Sequence, residues 1–203
     1  MEQTSNRIIL RGSLAEAPVF SHENHGRRFY RFALEVPRLS GTADVLQVMA
    51  AESLLEAAEL GDGSAVEVAG QIRSFNSRSD SGRRLIISVY AGQLTVCDGG
   101  AVNHAELEGT ICKPPVYRRT PLGREICDVM LAVNRPYRRT DYLPCILWGR
   151  SAREAARLAV GDRLALTGRL QSREYVKILD GVGQKRVAYE VSAVSAAPAA
   201  AAL

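Results

Sequence analysis

The stretch NRIILRG at residues 6–12 returns 97 residues later as NHAELEG at residues 103–109. Further matches keep this spacing, and after one added residue they continue at a spacing of 98: Pro18/Pro115, Gly26/Gly123, Leu34/Leu131, Arg38/Arg135, Asp44/Asp141, then Gly70/Gly168 and Ser74/Ser172. Repeats of this length are domains, since the units of solenoid proteins span about 20–50 residues. The sequence therefore predicts two copies of one fold.

Each copy has the sequence pattern of a small β-barrel. In the second copy, apolar and polar residues alternate over residues 104–111, as in a strand that is buried on one face. Further strand-like segments follow at residues 129–133, 143–147, 164–170 and 186–194. We therefore expect five strands in each copy.

One segment of each copy has helical character. In the second copy it covers residues 151–158, with Ser151 as the expected N-cap and Gly161 just beyond its end, and residues 53–60 are its counterpart. The order of three strands, one helix and two strands is that of an OB-fold, a five-stranded Greek-key barrel, although the strand spacing alone also fits other small barrels. The sequence predicts an all-β protein with two tandem OB-folds, each with one short helix between strands 3 and 4.

The repeat also sets the expected domain boundaries. We expect the first OB-fold over residues 1–97 and the second over residues 103–195, with a short glycine-containing linker between them. Residues 196–203 are small and uncharged, which predicts a disordered tail.

Composition excludes several classes of protein. No run approaches the ~18 apolar residues of a membrane span, and the N-terminus lacks a signal pattern, so we expect a soluble, cytoplasmic protein without a membrane partner. The four cysteines form no CxxC pair and are expected to be buried free thiols. The sequence HENH at residues 22–25 lies in a polar loop without nearby ligand candidates, so we expect no metal and no cofactor.

Positive charge is concentrated in the second copy. Residues 1–100 contain ten arginines and twelve acidic residues, for a net charge of −2. Residues 101–203 contain sixteen basic and ten acidic residues, for a net charge of +6. The second copy is therefore the one suited to an anionic partner.

Large aromatic residues lie beside this positive charge. If Leu143, Cys145 and Leu147 point into the barrel, the alternating side chains point outward: Tyr142, Pro144, Ile146 and Trp148. Tyr137 precedes this strand, and Tyr175 is expected where the loop between strands 4 and 5 begins, near Arg173.

The basic residues around these rings are the candidate phosphate ligands: Arg118, Arg119, Arg124, Arg135, Arg138, Arg139, Arg150, Arg173 and Lys177. Single-stranded nucleic acid is bound by such a combination, because bases stack on rings and cations neutralise phosphates. Stacking does not distinguish the bases, so we expect little sequence preference. The residues alone leave another interpretation open, in which the rings pack against a subunit or a protein partner.

The second copy resembles the bacterial single-stranded DNA-binding protein family and its relative, primosomal replication protein N. The likeness rests on residues 103–109, on DYLPCILWGRSA at residues 141–152 and on GRLQSREY at residues 168–175, and it is fainter over residues 6–96. The resemblance implies that four aromatics stack bases: Tyr137, Tyr142, Trp148 and Tyr175. It also implies that four OB-folds associate, which two chains in a homodimer would supply.

The first copy departs from the family pattern. Val45 stands in the place of Tyr142, Ala51 in that of Trp148, and Leu39 or Ser40 near that of Tyr137. Only Phe75 approximates one of the aromatics. We infer that the second copy binds while the first assembles or recruits, with a weak residual site at most: Arg27, Arg28, Phe29 and Arg31.

The tail also departs from the family, whose members end in an acidic tip that docks repair and replication enzymes. The tail here is alanine-rich and carries no side-chain charge, so recruitment by that route is not expected, which favours an accessory or mobile-element variant.

The leading hypothesis is a non-enzymatic protein that binds single-stranded DNA without sequence preference during replication, recombination, repair or transfer. RNA is not excluded as the ligand, and no small-molecule substrate is expected. The alternative is a primosome-like or scaffold OB protein that acts mainly through protein–protein contacts.

Overall fold

The structure is a computed structural model, and it describes residues 6–61, 63–79, 82–179 and 181–199. The first half of the chain contains β1 (Asn6–Leu14), β2 (Val19–Asn24), β3 (Arg27–Pro37), β4 (Ala43–Ala51), α1 (Glu52–Ala58), β5 (Ala65–Ser79) and β6 (Gly82–Val96). The second half repeats this order with β7 (Val102–Ile111), β8 (Val116–Arg119), β9 (Glu125–Arg135), β10 (Arg139–Trp148), α2 (Gly149–Ala155), β11 (Arg163–Leu179) and β12 (Val182–Pro198).

Each half closes a five-stranded barrel. In the first half the strands pair in the order β1-β3-β4-β6-β5 and return to β1, and in the second half β7-β9-β10-β12-β11 returns to β7. The pairs β4–β6 and β10–β12 are parallel, and the other pairs are antiparallel. The predicted fold class, all-β with two OB barrels and one short helix in each, is confirmed.

Alternation along the strands fills both barrels. On β10, Leu143, Cys145 and Leu147 are buried in the core, where they meet apolar residues of the facing strands. A tight bulge brings β11 against β12 at Gly168, where an added Cβ would lie 2.3 Å from the carbonyl oxygen of Ser192. Gly70 occupies the same position in the first half, 2.1 Å from the carbonyl oxygen of Tyr90. The repeated glycines are therefore required by the close approach of two strands.

The two halves are related by an approximate two-fold axis. Strand β1 pairs antiparallel with β7, and Ile8 lies opposite Ala105, which is its equivalent in the repeat. Beside this joint, the asparagine that opens each repeat holds its strand to another strand of the same half. Asn6 exchanges two hydrogen bonds with the backbone of Ile72, and Asn103 does the same with Leu170. The chain thus contains, in one polypeptide, the self-complementary arrangement usual in a symmetric dimer.

Four details differ from the sequence-based expectations. Helix α2 begins at Gly149 with Trp148 at the N-cap position, and no side chain caps it, so the prediction of Ser151 as N-cap is wrong. The reason is that β10 runs directly into the helix through Gly149, whose φ of 53° lies in the left-handed region that glycine tolerates. Each half also has a sixth short strand, β2 or β8, which pairs only with the following strand at the outside of the barrel.

The other two differences concern strands β11 and β12, which are longer than expected. Strand β11 continues through Leu179 and pairs with β12 along its length, so Tyr175 lies on a strand and not at the start of a loop. The predicted disordered tail is wrong for Ala196–Pro198, because these residues pair with the first residues of β11. Residues 200–203 lie outside the described residues.

Neither helix, α1 or α2, nor any other helix in the described part of the chain has the length and apolar character needed to cross a membrane.

Candidate nucleic-acid interface

Strand β10 presents two aromatic side chains on the outer surface of the second barrel. Tyr142 is 44% exposed and Trp148 is 37% exposed, whereas the residues between them on the opposite face are buried. Ile146, which is predicted to point outward with them, is only 6% exposed. Its partners in the sheet are Asp128 of β9 and Ser192 of β12.

A hydrogen bond fixes the orientation of Trp148. Its indole Nε1 donates to Ser192 Oγ of the neighbouring strand β12, at 3.0 Å. The indole N–H is thereby satisfied while part of the ring remains open to solvent. A ring held in this way loses little further freedom when a base stacks on it, which favours binding.

Tyr142 lies where the second half meets the first. Its backbone N–H donates to Ser74 Oγ of β5 at 2.7 Å, and the backbone N–H of Ser74 donates to Asp141 Oδ1 at 2.8 Å. The two-fold-related contacts join the backbone N–H of Ser172 to Asp44 and that of Val45 to Ser172 Oγ. The repeated Asp and Ser are therefore junction residues, and they hold Tyr142 at the boundary between the barrels.

The other two predicted stacking residues lie on hairpins. Tyr137 is 94% exposed and has a φ of 64°, at the tip of the β9–β10 hairpin. Tyr175 is 37% exposed on β11, opposite Arg186 of β12. Within the described residues, the ring pairs in contact all lie in the first half, so the four predicted rings do not stack on one another. They are spread over one barrel surface and its hairpins.

The predicted phosphate ligands fall into two groups. Arg118 pairs with Asp128, Arg119 with Glu125, Arg135 with Asp141 and Arg150 with Glu154. The pKa of Arg118 is raised by its hydrogen bond to Asp128, and that of Arg150 by its hydrogen bond to Glu154. In the described part of the chain, four others are exposed without an ion pair: Arg124, Arg138, Arg139 and Arg173. The side chain of Lys177 lies outside the described residues.

Besides Phe29, which the sequence already places in a weak residual site, the first half has aromatic residues that position-by-position comparison of the repeats missed. Its rings lie on β2, β3 and β6 instead of β4: Phe20, His22, Phe29, Tyr30 and Tyr90. Tyr90 occupies the position of Ser192, since Met49 pairs with Tyr90 as Ile146 pairs with Ser192. The guanidinium of Arg73 lies 3.6 Å from the centroid of the Tyr90 ring. A ring lost from one strand is thus replaced on the neighbouring strand, a signal visible only once strand pairing is known.

Two of the cysteines and one of the histidines pack against other residues of the protein. Cys127 and Cys145 are buried, and burial raises the pKa of both thiols. His22 stacks on Phe29 with a centroid distance of 5.1 Å. No group of His, Cys, Asp and Glu suited to a metal ion occurs among the described residues.

The fold and its surface define a class of protein: two OB barrels joined about a two-fold axis, with outward aromatic and basic residues on the second. Residues 102–197 match the model of the single-strand binding protein family. The resemblance to this family that the sequence predicted is therefore confirmed.

Individual relatives agree with the family match. Single-stranded DNA-binding protein 2 of Listeria innocua is 34% identical over 101 residues, which is 46% of this chain and 62% of the relative. Single-stranded DNA-binding protein A of Bacillus subtilis is 35% identical over 101 residues, 46% of this chain and 57% of the relative. The chain thus spans about six tenths of the length of these curated relatives.

A solved structure resembles the whole chain. It is a deletion mutant of the single-stranded DNA binding protein from Thermus aquaticus, with a TM-score of 0.80 and 23% identity, covering 100% of this chain and 98% of that one. At this identity the likeness supports the double-barrel fold.

Proposed function

We propose that the protein binds single-stranded DNA without sequence preference and catalyses no reaction. The observation that carries this proposal is the outward placement of Trp148 and Tyr142 on β10, within the region that matches the single-strand binding protein family. Base stacking on such rings contributes about 1–3 kcal/mol per base. The names of the relatives favour this function over the protein–protein adaptor.

The second barrel supplies most of the binding energy in this proposal. On the outer surface of the second barrel, the four exposed arginines without an ion pair are the best phosphate ligands, because Arg118, Arg119 and Arg150 must first give up a carboxylate. If each neutralises one phosphate, the logarithm of the affinity falls with the logarithm of salt concentration at a slope of about −3.

Trp148 provides the test, because it is the only tryptophan in the chain. We expect quenching of its emission on titration with oligo-dT at low salt, with a similar curve for a mixed-sequence oligomer. An unchanged emission together with no shift in gel mobility would exclude the proposal. The same titration with oligo-U compares RNA with DNA.

We further propose that two chains associate, which brings four barrels together. The outer part of β11 supports this association, since Val176 and Ile178 are exposed apolar side chains on it. Solution mass with and without oligo-dT tests it, and a monomeric mass in both would contradict it.

A further inference from the structure

A cleft of about 700 Å³ lies between the two halves. Described residues of both halves line it, among them Arg73 from the first half and Arg135, Tyr137 and Arg139 from the second. Its lining, as far as the described residues go, contains three arginines and no carboxylate. The cleft is therefore positive, although the first half has a negative net charge.

Two of these arginines have buried N–H groups without an acceptor. In the described part of the chain, Nε of Arg73 and Nε of Arg135 are buried and make no hydrogen bond. Nε of Arg135 lies 3.1 Å from Asp141 Oδ2 but lacks hydrogen-bond geometry. Arg73 Nη2 donates to Gln71 Oε1, and this hydrogen bond is long at 3.4 Å. Buried donors of this kind cost free energy unless an acceptor reaches them.

The charges of the two guanidiniums also oppose each other. Burial lowers the pKa of Arg73, and the neighbouring positive charge of Arg135 lowers it further. An anion between them would remove this repulsion and supply the missing acceptors.

The two-fold-related position lacks these features. There Gln171 replaces Arg73, and Arg38 replaces Arg135. Arg38 is hydrogen-bonded at both Nε and Nη2: Nε donates to Asp44 Oδ2 at 2.8 Å, while Nη2 contacts Asp44 Oδ1 and donates to the carbonyl oxygen of Ser172 at 3.0 Å. Thus the two junctions share a fold, but among the described residues only this one has buried guanidinium Nε groups without a hydrogen bond.

We propose that this cleft holds a backbone phosphate of the bound strand, between Arg73 and Arg135. The proposal rests on the proposed function and extends it, because it places one phosphate contact partly on the first half. Arg139 and the exposed ring of Tyr137 line the same cleft, where they contact the nucleotides on either side of the phosphate. The strand therefore passes from the second barrel to the first through this junction and not through the related one.

The test compares Arg73→Gln, which copies the residue at the related position, with Arg157→Gln as a control for charge. Arg157 is exposed beyond α2 and lies outside the proposed binding surface. With a long oligo-dT, Arg73→Gln should weaken binding roughly tenfold, as for one charged hydrogen bond, and reduce the salt slope by about 0.7. Arg157→Gln should change neither, and Arg73→Lys should restore the salt slope while recovering part of the affinity.

Thermal unfolding separates a ligand role from a structural one. Because Arg73 carries a buried, repelled charge, Arg73→Gln should leave the melting temperature unchanged or raise it. A lower melting temperature that accounts for the weaker binding would overturn the proposal. Unchanged binding of long oligo-dT by Arg73→Gln would also overturn the proposal. Because the wild-type protein still binds the strand in that case, the proposed function would stand.

Inorganic phosphate distinguishes a strand phosphate from a free anion. We expect oligo-dT to raise the melting temperature of the wild-type protein more than that of Arg73→Gln. Inorganic phosphate at the same phosphate concentration should not give this difference between the two proteins. If inorganic phosphate alone gives this difference and the strand does not, the cleft is a free-anion site and the proposal fails.

Discussion

The two halves of the chain have the same barrel, but at one position on its surface they place the large ring on different strands. In the second half, Trp148 ends β10 and donates to the small Ser192 on the next strand. In the first half, the small Ala51 ends β4 and the large Tyr90 lies on the next strand. The ring is therefore retained, but its surroundings differ. Trp148 is partly open to solvent, while a guanidinium covers Tyr90.

This difference shows that a repeat can keep its core and change its partner surface. The core positions and the junction residues match along both copies, because they are buried and set by strand pairing. Outer positions are free to exchange rings between strands. Counting aromatics at matched positions therefore underestimates the first half, whose ring cluster also includes Phe20 beside Arg28.

The largest expected effect concerns the junction carboxylates, where the two halves should differ in stability. Asp141→Asn keeps an acceptor for Ser74 but leaves Arg135 beside Arg73 without a negative charge. We expect a loss of about 3 kcal/mol in the free energy of unfolding. Asp44→Asn should cost less, because Arg38 keeps the carbonyl oxygen of Ser172. Denaturant midpoints at unchanged slope measure both.

Asp128→Asn is the control for loss of a carboxylate. Asp128 pairs with Arg118 at the surface, where such pairs contribute at most about 1 kcal/mol. If Asp44→Asn and Asp141→Asn lower the free energy of unfolding equally, the positive charge of Arg73 does not destabilise its junction.

The next effect concerns binding by the second half. Trp148→Ala should weaken oligo-dT binding by about 1–3 kcal/mol, and Tyr142→Ala by a similar amount, since each removes one stacking surface. Solution mass must stay unchanged in both variants. Dissociation of an oligomer with unaltered DNA affinity would instead assign these rings to a subunit interface. Fluorescence anisotropy of a labelled oligomer is the measurement, because Trp148→Ala removes the intrinsic signal.

The sequence was sufficient for the fold because its strongest signals are local. Alternation on β10 predicted the buried face and the outward Tyr142 and Trp148, and the repeat predicted two barrels. The sequence-based prediction failed where contacts with other parts of the chain determine whether a residue is buried or paired. Ile146 is buried although it lies on the same side of β10 as Tyr142 and Trp148, and Ala196 pairs with β11, neither of which follows from residue type.

The candidate site was predictable in part for the same reason. The sequence predicts arginines around the rings, but ion pairs such as Arg135 with Asp141 depend on geometry across the β9–β10 hairpin. The cleft between the halves needs residues from both copies, Arg73 and Arg135, which lie far apart in the sequence. No pattern within one copy could reveal it.

The smallest expected effect sharpens the comparison of the two rings. Tyr90→Ala should weaken oligo-dT binding by less than about 1 kcal/mol, because the guanidinium of Arg73 already occupies one face of the ring as a cation–π contact. Phe20→Ala is the matched variant, since this ring is about half exposed on the adjoining hairpin and its loss leaves Arg73 in place. Competition of both variants with wild-type protein for one labelled oligomer resolves differences of this size. If Tyr90→Ala weakens binding as much as Trp148→Ala does, the two halves bind equivalently, and the strand must displace Arg73 from the ring when it binds.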